Sequence, residues 1–557
     1  MDPATIAALL REISIYFELD GDRHRAGAYD RAAKSIEAAN GFPKLVLEDR
    51  LRELPGVGPS IEKVVADLAH PGRSEVLDRL RAKWPAVIVE LSQLPAVGAV
   101  RASKLHAAFA PSDLDAIAAL ARAGAIRELP GFGELSEAKI LRAIEERHLA
   151  GARALHVDAE QQALALAEFL RGAASRVEVA GPVRRWLEIC DHLAIAVASE
   201  QVEPVVERLR AYPLVTSVET TSATLAIGKL ADGMRCEVHI APAAHYGWTL
   251  VTATGSPEHV TALRDRAQAR GVALDTAELR DEAEVYRALG LPEIPPELRD
   301  GAGELAAADR GDAFDDLVTL GDVTTAFHCH TTYSDGKQSI EEMANAAREL
   351  GMRGITITDH SAAASYAGGI GSDGLRAQAD EIAALPDLGV RILRGIEADI
   401  LIDGQLDVPR ELLPHLDLVI ASIHQRHKLD ETAMTARIVT AMRQPHFKIW
   451  GHALGRLVMR RDPIAIRIDE VLDAIAESPA AIELNGDPYR LDLDPINARL
   501  AAARGIKFVV SSDAHSTKGL GAVRWAVAMA RRARLRRRDV LNTLPPDELA
   551  ERVAPHD

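Results

Sequence analysis

The sequence predicts a multidomain protein of α and α/β class. A helical region spans residues 1–150, an α+β segment 151–320 and a distorted (β/α)7 barrel 323–557. Three observations predict this. Apolar residues recur at helical spacing through the first segment. Strand-like and helix-like stretches alternate through the second. In the third, seven short apolar runs each end in a polar residue able to bind a metal. A chain of 557 residues has room for about three or four domains, each with its own core.

In the first segment the helical spacing is clearest in Ile6 to Phe17, Ala28 to Ala38 and Leu114 to Ala123. One phrase returns three times between helices: Leu54-Pro55-Gly56-Val57-Gly58, Leu94-Pro95-Ala96-Val97-Gly98 and Leu129-Pro130-Gly131-Phe132-Gly133. Proline ends one helix and glycine permits a tight turn at positive φ. The next helix then offers free backbone N–H groups, which bind phosphate without side-chain charge. An ordinary turn between two helices is the alternative reading. Three copies favour DNA, and Ala96 makes the middle copy the weakest. The phrase resembles the helix-hairpin-helix motif, which implies a grip on the DNA backbone regardless of sequence. Gly56, Gly58, Gly98, Gly131 and Gly133 are the candidate DNA-binding residues.

In the second segment, Ser175 to Ala180, Leu193 to Val197, Thr224 to Ile227 and Arg235 to Ile240 read as strands, and residues 259–270 as a helix. Gly181-Pro182-Val183-Arg184-Arg185-Trp186-Leu187-Glu188 resembles the Gly-Ser-x-Arg-Arg-x-x-Glu phrase of X-family DNA polymerases, the DNA polymerase beta group. Thr254-Gly255-Ser256 resembles their Thr-Gly-Ser turn, and Leu289-Gly290-Leu291-Pro292 with Ile294 to Arg299 resembles the exit of their thumb. Ala28-Tyr29-Asp30-Arg31-Ala32-Ala33 and the hairpins fit that family's N-terminal DNA-binding domain. Over essentially the whole chain the sequence is similar to bacterial X-family polymerases carrying a C-terminal polymerase-and-histidinol-phosphatase (PHP) domain. The resemblance implies a nucleotidyltransferase fold with palm and thumb in the middle segment and a PHP barrel at the end.

The resemblance breaks where polymerase chemistry would sit. The family continues with Gly-Asp-x-Asp, two carboxylates on one strand face that share magnesium ions. A gapless alignment places these aspartates on His192 and Ala194, and the third family aspartate on Glu237. Pro182 stands where the family has serine, removing a hydroxyl and an N–H. Mg²⁺ takes hard oxygen ligands in near-octahedral geometry. This degenerate polymerase site is therefore expected to be weak or inactive.

In the third segment the runs ending at His328, Asp359-His360, Glu397, His424, His452, Asn485 and Asp513 read as strands, with helices such as Ile340 to Leu350 between them. In a closed parallel barrel all strand C-termini share one rim, where the active site lies. His328 and His330 are two apart and should face one way, with Cys329 facing the other; Asp513 and His515 repeat the spacing. Asp335 can reach back from the first loop. A lone His-x-His is weak, but a full set at strand ends is specific. His328, His330, Asp335, His360, Glu397, His424, His452, Asp513 and His515 match the PHP signature residue by residue.

The resemblance implies three divalent metal ions. His328, His330, Glu397 and Asp513 would hold one, Glu397, His424 and His452 the second, and Asp335, His360 and His515 the third. Imidazole-rich ligation suits Mn²⁺, Zn²⁺ or Fe²⁺ better than Mg²⁺. Arg456 and Arg490, just after strand ends, and Asn485, at the end of one, are the candidate substrate-binding residues. Arg426, His427 and Lys518 are further basic positions there.

Composition narrows the classes. With 47% apolar and 26% charged residues, the chain is not disordered, collagen-like or a coiled coil. No apolar run approaches the ~20 residues of a membrane span, and Met1-Asp2-Pro3 with Glu12, Glu18 and Asp20 does not read as a secretory signal. Three distant cysteines exclude a disulfide framework and a cysteine-based zinc ribbon, so a reduced, cytoplasmic compartment is expected. The net charge of −17 argues against a uniformly basic DNA-coating protein. Residues 1–150 are nearly balanced, with 20 Lys+Arg against 22 Asp+Glu, so the acidic excess lies elsewhere. The expected function is a metal-dependent 3′-5′ exonuclease or phosphoesterase on DNA ends in DNA repair, binding DNA through its backbone, as a monomer. An active gap-filling polymerase with exonuclease, a small-molecule phosphatase of histidinol-phosphatase type and a non-catalytic DNA scaffold are the alternatives.

Overall fold

The computed structural model describes residues 3–37, 39, 42–47, 50–69, 73–92, 94, 97–150, 152–425 and 428–555. The chain forms two compact units, Met1–Gly301 and Ala302–Asp557.

The first unit begins with helices Pro3–Leu19 and Arg23–Glu37. Ile6, Leu9, Leu10, Ile13, Tyr16 and Phe17 recur at helical spacing and are all buried. The hairpin turns form as the glycines require: φ is +82° at Gly56, +61° at Gly98 and +90° at Gly131. Pro95 and Ala96 of the middle copy lie outside the described residues. Each turn leads into a helix, Pro59–Ala69, Gly98–Phe109 and Glu134–Ala150. The Gly58 carbonyl accepts from the N–H of Glu62 at 2.8 Å, and the Gly133 carbonyl from Ser136 and Glu137 at 2.9 Å.

A five-stranded sheet follows: β1 (Arg176–Ala180), β2 (His192–Ala198), β3 (Val215–Ser222), β4 (Leu225–Leu230) and β5 (Arg235–Ala241), in the order β1-β2-β5-β4-β3. Only β2 and β5 run parallel. Period two divides the side chains of β2. Leu193, Ile195 and Val197 enter a core shared with the N-terminal helices. Ala194, Ala196 and Ala198 pack against Tyr246, Leu250 and Ala253 of helix Tyr246–Thr254. Ser256 caps helix Pro257–Arg270, so Thr254-Gly255-Ser256 is the expected turn.

The second unit holds the barrel: β6 (Thr325–Cys329), β7 (Gly354–Ile357), β8 (Arg391–Asp399), β9 (Leu418–Ser422), β10 (Lys448–Trp450), β11 (Ala480–Asn485) and β12 (Lys507–Ser511). Neighbours in sequence are neighbours in space, and every ladder is parallel. The barrel closes past the strand ends. The N–H of His330 donates to the carbonyl of Ala514, and that of Ala514 to His328, both at 2.9 Å. Lower down, the buried Asn542 amide fills the seam, donating to the carbonyls of Thr325 at 3.0 Å and Val510 at 2.8 Å. Phe327, Leu393, Leu418, Ile420, Ile449, Ala481 and Val509 form the interior core, with Leu549 and Val553 of helix Pro546–Val553 packed into it.

Residues 302–320, read from the sequence as the end of the middle segment, pack with the barrel. Val318 donates to the carbonyl of Leu535 at 3.1 Å, and Arg536 to Asp312 at 2.7 Å. Among the described residues no helix is long and apolar enough to cross a membrane.

Candidate metal centre

The strand ends turn their side chains inward by leaving regular β geometry. φ is +59° at His328, +24° at His452 and +50° at Asp513. These left-handed values cost energy for residues with a Cβ and cluster at functional sites. They correct the simple alternation expected for His328 and His330, because β6 carries a register shift between Ala326 and Cys329. The outcome is nevertheless shared inward placement. Cys329 and Ala514 form a bridge and join the outer core, while His328, His330, Asp513 and His515 converge in the cup.

Glu397 stands at the centre, 1% exposed. Its Oε1 lies 2.9 Å from His452 Nε2, 3.2 Å from His424 Nε2 and 3.3 Å from His328 Nε2. Its Oε2 lies 2.8 Å from His360 Nδ1 and 3.7 Å from His330 Nε2. Asp513 Oδ1 lies 3.4 Å from His330 Nε2 and 3.8 Å from His328 Nε2. Asp335 Oδ1 reaches back from the first loop, 3.3 Å from His515 Nε2 and 3.6 Å from His360 Nε2. The structure thus gathers all nine positions singled out from the sequence.

Among the described residues three groupings have ligand atoms within 4.8 Å of one another: His330-Asp335-His360-His515, His328-His330-Asp513 and His360-Glu397-His424. His330 is shared by the first two and His360 by the first and third. The donor set fits divalent cations on a structural criterion. His328 Nε2, both ring nitrogens of His330, His452 Nδ1 and Glu397 Oε2 are buried without a hydrogen-bond partner. Buried polar atoms are normally paired.

The electrostatics point the same way. Burial would raise the Glu397 carboxyl, but His424, His328 and His360 hold it well below the usual range. Burial would lower His424, but Glu397 and Asp399 lift it to about 10. His515 likewise rises to about 9 beside Asp335 and Asp513. His330 is pushed down to about 4 by burial. The carboxylates draw positive charge into the cup.

Three residues outside the nine support the cup. Glu483 Oε1 lies 2.5 Å from His328 Nδ1, and its Oε2 accepts from the N–H of His452. Asp399 Oδ1 lies 2.9 Å from His424 Nδ1. Asp359 fixes the loop that carries Asp335, accepting from the N–H of Thr331 at 2.8 Å and from Gln378 at 2.7 Å. Gly451 leaves room beneath the cup, where a Cβ would lie 2.3 Å from Ser422 Oγ. A same-face signal was available: Glu483 is two residues from Asn485, and Asp399 two from Glu397.

Two of the three candidate substrate residues meet the cup. Arg490 Nε lies 3.6 Å from Asp513 Oδ2, and Asn485 Nδ2 lies 3.1 Å from the same oxygen. Arg456 donates to the carbonyl of Leu491, tying the loop after β10 to the loop after β11. Arg426 and His427 lie outside the described residues.

In the first unit, Ala194 pairs directly opposite Glu237, and His192 opposite Arg235. Glu237 is held by Arg235 at 2.8 Å and His239 at 3.3 Å, while His192 Nδ1 lies 2.8 Å from Asp191. Ala194 is fully buried, and a Cβ on Gly181 would come within 2.7 Å of its own. Arg184 makes two 2.7 Å hydrogen bonds to Glu282, and Arg185 one of 2.7 Å to Asp300. At the hairpins, a Cβ on Gly58, Gly98 or Gly133 would meet nothing within 4 Å.

Residues 326–486 match the PHP domain and residues 249–300 the DNA polymerase beta thumb. The chain is 32% identical over 560 residues to the DNA polymerase/3'-5' exonuclease PolX of Bacillus subtilis (strain 168), covering 97% of each chain. Over 230 residues, 39% of this chain, it is 32% identical to a "Probable phosphatase" of Thermoanaerobacter sp. (strain X514), of which 89% is covered. Similarity spanning the helical region, the thumb and the barrel alike places the chain in the PolX family, the X-family DNA polymerases with a C-terminal PHP domain.

Proposed function

We propose that this protein is a metal-dependent 3′-5′ exonuclease and phosphoesterase acting on DNA ends in DNA repair. The convergence of nine His, Asp and Glu side chains, the buried Glu397 among them at the centre, carries the reading. His328, His330, Glu397 and Asp513 would hold one cation, His424 and His452 with Glu397 a second, and Asp335, His360 and His515 a third. Mn²⁺, Zn²⁺ or Fe²⁺ suits these ligands. Such cations polarise phosphoryl oxygens and lower the pKa of water. The remaining work falls to the chain. Arg490 presents a guanidinium beside Asp513, where it can take a phosphate oxygen and orient the ester. Asn485 offers an amide at the same edge. Glu483, Asp399 and Asp359 hold the cup rigid.

The division of labour proposed is DNA binding by residues 1–150, a palm and thumb over 151–320, and hydrolysis by 323–557. The hairpin turns would contact backbone phosphate, so the partner is DNA without sequence preference. The protein would act as a monomer in the cytoplasm. Polymerase activity is proposed to be weak or lost. Three features support this: His192 and Ala194 stand at the carboxylate positions, Pro182 stands in the turn, and Glu282 and Asp300 occupy Arg184 and Arg185. Glu237 alone offers too few oxygens for two hard cations.

A small-molecule phosphatase is the second reading, favoured by the barrel-only relatives. One assay separates the two. With Mn²⁺ present, mononucleotide release from a 5′-labelled oligonucleotide is compared with phosphate release from histidinol phosphate. Nucleotide release should dominate. Phosphate release alone would overturn the nuclease assignment.

A further inference from the structure

Tyr366 sits on the rim of the cup. It lies in the short turn Ser365–Ala367 after β7 and is 63% exposed. Its ring centroid is 6.3 Å from the ring of His360 and 6.3 Å from that of His424, steeply inclined to both. The ring therefore stands beside the cup with much of its surface open to solvent.

The loop beneath it is tightly built. Ile370 donates to the carbonyl of His360 at 2.8 Å, Ala363 to Asp407 at 2.6 Å, and Gln425 to the carbonyl of Ala363 at 2.8 Å. Gly369 packs so closely that a Cβ would lie 1.9 Å from the Ser361 carbonyl oxygen. The backbone that carries the ring is thus held in place. The other exposed tyrosine after a barrel strand, Tyr489, differs: Arg460 lies over its ring at 5.1 Å.

An exposed ring on a rigid loop, next to a phosphoester site, offers a stacking surface that accepts any base, since every base has a π face. We propose that Tyr366 stacks on the base of the nucleotide whose phosphate enters the cup. It is a positioning residue that makes the site prefer a nucleoside phosphate ester to one without a base. This rests on the nuclease reading and deepens it.

The test compares two oligonucleotides in Mn²⁺, one with an ordinary 3′-terminal nucleotide and one with a base-less tetrahydrofuran residue there. Full-length wild type should favour the base-bearing end by about tenfold or more in kcat/KM. In Tyr366→Ala the ratio should collapse towards one, and in Tyr366→Phe it should be kept, because the ring and not the hydroxyl stacks. A wild-type ratio near one, a Tyr366→Ala ratio equal to wild type, or equal falls on both ends would overturn the stacking role. Wild type that cleaves neither oligonucleotide but hydrolyses histidinol phosphate would overturn the nuclease reading itself, an outcome visible before any variant is made.

Discussion

Glu483 Oε1 lies 2.5 Å from Nδ1 of His328, and neither side chain is exposed. The carboxylate calls for a proton on Nδ1, which leaves Nε2 free to face Glu397 and Asp513. Asp399 does the same for His424 from another strand. A carboxylate behind an imidazole orients the ring and raises its basicity as a ligand.

Removing that support should weaken metal binding more than folding. Wild type should carry close to three divalent ions per chain after dialysis. Glu483→Gln keeps the shape and loses the charge, and its metal affinity should fall about 10- to 100-fold. Elemental analysis across a chelator series checks this. Affinity equal to wild type would leave Glu483 without the role assigned.

The glycine turns can be tested without straining them. Gly58 and Gly133 have ordinary φ, and a Cβ on either meets nothing within 4 Å. Gly58→Ala with Gly133→Ala should therefore fold normally while the added methyls obstruct close approach of a phosphate. Duplex affinity should drop several-fold, independent of sequence, with hydrolysis of a small phosphodiester unchanged. Fluorescence anisotropy over a salt series reads it. Undiminished affinity would count against the hairpins as the DNA grip.

Glu282 couples acid stability to the first unit. Burial raises its carboxyl, but Arg184 and Arg299 outweigh this and hold it at about 2. A depressed carboxylate adds stability above its unfolded pKa and loses it as pH falls through the folded one. The shift is worth about 3 kcal/mol, present above pH ~4.5 and lost towards pH ~2. Glu282→Gln should be less stable than wild type at pH 7 by about 3 kcal/mol, with the two converging in acid. Urea unfolding at several pH values checks this, and a gap independent of pH would contradict it.

The barrel was legible because each strand is a short apolar run closed by a ligand-type residue, a pattern that survives without knowledge of the fold. β3 was not, because Val215-Thr216-Ser217-Val218-Glu219-Thr220-Thr221-Ser222 is a polar edge strand with little apolar alternation. For His328 alternation predicts an inward direction, yet a bulge at positive φ supplies it. Glu483 and Asp399 are not legible, because acids flanking a ligand read as strand residues. Their role depends on which imidazole nitrogen they face across the barrel, and no local pattern encodes that. Nor does sequence announce that Asn542, far along the chain, seals the seam between β6 and β12.

In the proposed division of labour the barrel shortens DNA while the palm does not lengthen it. The direct measurement follows a 5′-labelled primer on a gapped template with dNTPs and Mn²⁺, on a denaturing gel. The full-length protein should shorten the primer without extending it. His328→Ala with His330→Ala should leave it unchanged, since the metal ligands of the cup are gone and losing the paired palm carboxylates costs roughly 10³-fold or more in synthesis. Template-dependent extension that persists in the double variant would contradict the account.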